Sequence, residues 1–205
     1  MAVSGVYGIV LEVPNLEDGR EFYSAAGLEV QEQQDRLVFT CKGQERAAIT
    51  LIRGAGKKRL HHIILTSDDL SFDLTKENVI KYGGTVVAAP EGFEENGLWI
   101  KDPHGLLVHL ITGAPETPLS AKEVFEINQP GRTIRIDKAA VTPKSKTPKI
   151  LPLRLGHIML FTPNTMKSVE FFSEALGMGL ADRAQDTVAF MCARKNSDHH
   201  VVAFA

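Results

Sequence analysis

Short apolar runs of strand character alternate along this chain with single stretches of helical spacing. The run Tyr7-Gly8-Ile9-Val10-Leu11-Glu12-Val13 closes on Pro14-Asn15. Proline withholds a backbone donor and asparagine suits a helix cap, so a strand ends there and a helix follows. The same arrangement returns at Gly156-His157-Ile158-Met159-Leu160-Phe161-Thr162-Pro163-Asn164, at an offset of 149 residues that sets His157 on Gly8. Phe22-Tyr23 falls on Phe171-Phe172 at that offset, and Gly27-Leu28 meets Gly177-Met178 after one inserted residue. In the later copy Met166, Val169, Phe172 and Leu176 recur at helical spacing, Gly177 acts as a C-cap and short strands resume. The repeating unit is therefore β-α-β-β-β.

A middle unit starts at Arg59-Leu60-His61-His62-Ile63-Ile64-Leu65, with a helix over about 69–82 stopped by Gly83-Gly84. Strands are predicted near 85–88 and 98–101, and the turn Asp102-Pro103-His104-Gly105 leads into a half-buried strand over 106–111. The expected fold class is α+β, built of tandem βαβββ modules. Residues 1–112 form one domain of two paired modules, about 1–55 and 56–112. Residues 113–152, including the polar, basic and proline-bounded stretch 141–149, form a linker. Residues 153–205 form a third module, the first of a second domain. An unpaired module leaves an open sheet face and edge, so a fourth module is expected beyond residue 205.

Composition narrows the partners. The 205 residues are enough for a sizeable core, and 43% hydrophobic with 23% charged residues is ordinary for a globular chain. A formal net charge of −2 leaves no electrostatic footprint for nucleic acid. No run approaches the ~18 apolar residues of a membrane helix, and the N-terminus lacks a basic-then-apolar signal, so a soluble, cytoplasmic protein is expected. Cys41 and Cys192 sit in separate apolar runs and read as reduced, packed thiols.

The seven histidines (His61, His62, His104, His109, His157, His199, His200) lie in or beside apolar strand-like runs or the turn between them. A buried imidazole needs a metal, a substrate or a core partner. His157 stands in the first strand of the third module, and His199-His200 open its last strand. Adjacent strand residues point to opposite faces, so one of the tandem pair shares a face with His157. Because the equivalent of His157 in the first module is Gly8, the fold does not require a histidine there.

The pattern Leu155-Gly156-His157-Ile158-Met159-Leu160, Phe171-Phe172, Leu176-Gly177-Met178 and Asp198-His199-His200-Val201-Val202-Ala203-Phe204 resembles the catalytic domain of type I extradiol (meta-cleaving) catechol dioxygenases, of the vicinal oxygen chelate superfamily. The resemblance implies that residues 1–112 are the family's non-catalytic N-terminal domain and that the third module is half of its catalytic one. It implies Fe(II) held by two histidines and a carboxylate, with positions open for a catechol-type aromatic and O2. His157 would then be the first metal ligand, His200 the acid/base residue and His199 an active-site neighbour. The remaining ligands belong to the fourth module, so residues 1–205 alone should not turn over a catechol. Further copies of the chain are expected as partners, and neither nucleic acid nor membrane is.

By internal repetition, His62 takes the slot of the second ligand and His109 that of the carboxylate. Two imidazoles without a third ligand make a poor iron site, so both are read as structural relics, and His104 as exposed at a turn tip. Two alternatives stay open. One is a glyoxalase-like lyase or isomerase, although its metal would use Glu or Gln where Gly8 and His157 stand. The other is a non-catalytic protein that binds small molecules in a concave pocket.

Overall fold

The structure, a computed structural model, describes residues 3–68, 71–113, 131, 151–193 and 197–205. Nearly all of the predicted linker lies outside the described residues. The first module runs β1 (Val3–Val13), α1 (Leu16–Ala25), β2 (Glu29–Gln33), β3 (Arg36–Thr40) and β4 (Ala47–Arg53). The second runs β5 (Arg59–Ser67), α2 (Asp73–Lys81), β6 (Thr85–Val86), β7 (Leu98–Lys101) and β8 (Leu107–Thr112). The third runs β9 (Ile158–Leu160), α3 (Thr165–Glu174), β10 (Gly179–Ala184), β11 (Val188–Cys192) and β12 (Val202–Phe204). The α+β class and the βαβββ repeat are both present.

Asparagine sets two of the helix starts. Asn15 Oδ1 accepts from Glu17 N and Asn164 Oδ1 from Lys167 N, each at 2.9 Å, which satisfies a donor that the first turn otherwise leaves free. The second helix begins later than its periodicity suggests, at Asp73. Its N-cap is Phe72, in the left-handed region at φ 57° and with no side-chain cap bond. Phe72 is nonetheless buried in the core, so packing rather than capping chemistry fixes that helix start.

All three modules share one strand order, and the first two join through their first strands into an eight-stranded sheet, β2-β3-β4-β1-β5-β8-β7-β6. The third forms a separate four-stranded sheet, β10-β11-β12-β9. In each module the first and last strands pair in parallel, with Ile9 opposite Ile49, Ile63 opposite Val108 and Ile158 opposite Val202. These registers superpose Gly8, His62 and His157 on one slot. They also align Ala47, Leu106 and His200, so the histidine at 200 has no polar counterpart in the other modules.

Gly8 has a steric reason. A Cβ there would lie 2.3 Å from the carbonyl oxygen of Ala47, on the paired strand β4. The slot therefore excludes any side chain in the first module.

The larger core joins the second and third modules. Ile63, Leu65, Ile100 and Leu110 from the eight-stranded sheet pack with Phe171, Phe172, Leu176 and Phe204, while a smaller cluster of Val13, Leu37, Phe39 and Leu51 lies under α1. The matched aromatic pairs therefore differ: Phe171 and Phe172 are buried, whereas Phe22 is 66% exposed. Cys41 is buried and Cys192 half-buried. Among the described residues, no helix is long and apolar enough to cross a membrane.

Candidate active site

β9 and the segment before β12 bring the third-module histidines together. The rings of His157 and His200 lie 4.5 Å apart between centroids. His157 is exposed and His200 half-buried. Phe190, on the neighbouring β11, packs against His200 at 4.9 Å. They occupy the sheet face opposite Ile158 and the α3 core, a face that also carries Met159 at 54% exposure.

The tandem pair does not open the last strand as predicted. β12 begins at Val202, and His199 and His200 precede it in irregular backbone, so strict alternation does not govern them. Their Nδ1 atoms lie 3.1 Å apart, within hydrogen-bonding reach. His199 is exposed, touches His200 and Phe190, and makes no ring contact with His157. His200 is the member of the pair that reaches His157.

Backbone and charge fix this geometry. Ile158 N donates to Val201 O at 3.1 Å and Val201 N to Met191 O at 2.9 Å, which pins the start of β12 between its neighbours. Arg154 Nη1 donates to Asp198 Oδ2 at 2.5 Å. That guanidinium holds the Asp198 carboxyl below the usual carboxylate range. Burial, with His157 and His199 beside it, pushes the His200 imidazole down, and Asp198 partly opposes the shift.

The second-module histidines form another group. The rings of His62 and His109 are 6.4 Å apart, and Trp99 stacks on His109 at 4.0 Å. His109 Nε2 lies 2.7 Å from Asn96 O, and with the ring neutral it donates there, so His109 has a structural partner. His104 departs from expectation. It is half-buried rather than exposed, and its buried Nε2 finds no hydrogen-bond partner among the described residues. It lines a cavity of about 700 Å³ shared with His61 and His157. Among the described residues, no three His, Cys, Asp or Glu side chains are grouped so as to hold a metal ion.

This fold defines a chain of tandem βαβββ modules. Residues 154–205 match the model of the Glyoxalase/Bleomycin resistance protein/Dioxygenase superfamily. The chain is 32% identical over 202 residues to Metapyrocatechase 2 of Cupriavidus necator, covering 98% of this chain and 61% of that relative. It thus spans about three fifths of that relative's length. It is similar in structure to the Mn(II)-bound glyoxalase from Novosphingobium aromaticivorans, with a TM-score of 0.70 at 23% identity over 99% of this chain and 62% of that one. It is also similar to the 2,3-dioxygenase LapB from Pseudomonas sp. KL28, with a TM-score of 0.68 at 21% identity over 100% of this chain and 70% of that one. The resemblance to extradiol dioxygenases read from the sequence is borne out.

Proposed function

We propose that the chain is the greater part of an extradiol ring-cleaving dioxygenase, an oxidoreductase that opens a catechol-type aromatic ring and places both atoms of O2 in the product. The observation that carries this reading is the His157–His200 pair, 4.5 Å apart on an open sheet face, in a chain 32% identical to a metapyrocatechase. Residues 1–112 are assigned to a non-catalytic domain, 113–152 to a linker and 153–205 to the first catalytic module. His157 is assigned as one ligand of Fe(II), His200 as the acid/base and His199 as its neighbour.

The described residues do not complete a site for that metal. A second histidine and a carboxylate are assigned to a fourth module beyond residue 205. Sheet topology supports this: β9 lies at a sheet edge, whereas its counterpart β1 pairs antiparallel with β5. A further first strand would fit against β9 in the same way. Bound Fe(II) would supply open positions for both catechol oxygens and O2.

The part of the chemistry that belongs to this chain is proton transfer. An imidazole pulled below its ordinary value is neutral near pH 7 and can take the proton of a catechol hydroxyl as substrate binds, then return one as the ring opens. Phe190 fixes one side of that ring. The alternative metal chemistry of a glyoxalase-like enzyme finds no Glu or Gln in the first-strand slots, which hold Gly8, His62 and His157. Placement in the cytoplasm and assembly into homo-oligomers complete the proposal.

Protein expressed from the uninterrupted gene, loaded anaerobically with Fe(II) and then given a catechol and O2, should form a yellow ring-fission product. Residues 1–205 alone should form none. A reading frame that stops after Ala205, or a longer form that consumes no O2 with any catechol, overturns the proposal. Parallel loading with Mn(II) tests the choice of metal.

A further inference from the structure

The paired first and second modules enclose a concave cleft of about 650 Å³, on the face of the eight-stranded sheet opposite the core. Its wall includes His62, Trp99, Thr50, Val38 and Arg36. A volume of this size suits a small organic ligand. His62 is fully buried, yet its Nε2 has no hydrogen-bond partner among the described residues. A buried polar atom left without a partner destabilises the fold, so a ligand that pairs it is favoured. No metal-binding group accounts for it among the described residues.

The backbone is built to present this nitrogen. Val10 pairs with His62 and Leu11 with Leu60, so His61 is an extra residue in β5 and forms a β-bulge. The bulge brings two adjacent imidazoles together, with their Nδ1 atoms 2.7 Å apart. One ring therefore carries its proton at that contact and the other accepts it. If His62 donates, its Nε2 is a bare acceptor, and if His61 donates, the His62 Nε2 is an N–H donor. A hydroxyl group satisfies either case.

The surroundings are flat and aromatic. Trp99 lies 4.8 Å and Phe93 4.9 Å from the His62 ring. Phe93, on the segment between β6 and β7, meets the His62 ring edge-on and stacks on His61 at 5.1 Å. The Arg36 guanidinium stacks 5.1 Å from its ring and also donates to Gly92 O at 2.9 Å. We propose that this cleft is a second small-molecule site, which binds a hydroxylated aromatic whose ring replaces Phe93 against Trp99 and whose hydroxyl pairs with His62 Nε2. The proposal does not depend on the catalytic assignment of His157 and His200.

The chain has one tryptophan, Trp99, and it lies in this wall. Its fluorescence, excited at the red edge of the indole band, is therefore a local probe. Phenol should quench it saturably, and toluene, which has the ring without the hydroxyl, should bind about tenfold more weakly. His62→Phe should abolish the phenol response, as should Val38→Phe, which fills the cleft from a half-buried wall position without replacing a histidine. His200→Ala should leave the response intact, because that residue belongs to the third module and does not line the cleft. The absence of saturable quenching by phenol, an equal response to toluene, persistence in Val38→Phe, or quenching by Zn(II) alone would each overturn the proposal.

Discussion

Arg154 Nη1 lies 2.5 Å from Asp198 Oδ2 and so ties the segment leading into His157 to the one that presents His199 and His200. The two side chains remain 29% and 44% exposed, so the pair itself adds about 1 kcal/mol or less to stability. Its consequence is positional, because a displacement of about 1 Å in an acid/base group can lower turnover up to a hundredfold. In the full-length dioxygenase proposed above, Arg154→Ala should lower kcat roughly tenfold while leaving Tm nearly unchanged. Arg154→Lys, which keeps the charge, should recover part of the loss. A drop confined to KM, or a Tm loss as large in Arg154→Lys as in Arg154→Ala, would contradict a positioning role.

His157 and His200 should separate cleanly in a pair of variants. Replacing a ligand removes metal together with turnover, whereas replacing an acid/base group removes turnover alone, typically about 10²–10⁴-fold. His157→Ala is therefore expected to purify with little iron, and His200→Ala with iron near the parent level but far slower ring opening. Metal analysis beside O2 uptake makes the comparison. Equal iron loss in both variants would assign His200 to the metal instead.

Gly8 carries a prediction about stability. A methyl group at this position meets the Ala47 carbonyl oxygen at 2.3 Å, and that oxygen belongs to a paired strand with little room to move. Overpacking of this kind costs about 1–3 kcal/mol. Gly8→Ala should thus lower the urea midpoint by a corresponding amount, and Gly8→His more so. A wild-type midpoint for Gly8→Ala would mean that β1 and β4 separate freely. It would also leave the absence of a first-module histidine without a steric reason.

The modules and the His157 slot were legible in the sequence because both rest on local signals. Pro14-Asn15 and Pro163-Asn164 mark the same strand end, and a fixed offset aligns Gly8 with His157. What depended on tertiary placement was not legible. Matched motifs place Phe22 on Phe171, yet α3 packs within the larger core while α1 leaves Phe22 open to solvent. Alternation separated His199 from His200 onto two faces, but both precede β12. It would likewise have separated His61 from His62, and the bulge in β5 brings their rings together. An extra residue in one strand is invisible until its partner strand is known. The only available signal was the tandem His61-His62 itself.

The cleft histidines also determine how the fold responds to acid. Burial, aided by His61 and His109, pushes His62 down to about 3 from its ordinary 6.5, and burial lowers His61 and His109 in the same direction. Above pH 6.5 these rings are neutral whether the chain is folded or unfolded, and their burial is not opposed. As pH falls below 6.5 the unfolded chain takes up protons that the folded chain refuses, so stability declines until the pH nears the folded value. For His62 that slope is about 1.4 kcal/mol per pH unit, between roughly pH 6 and pH 3. His62→Phe removes the group and should flatten the curve over this range, whatever it does to stability at pH 7. Urea unfolding at pH 7.5, 5.5 and 4.5, compared between the two proteins on the scale of one proton per molecule, measures the difference. Parallel curves would show that His62 charges freely in the folded state and that its ring is not enclosed.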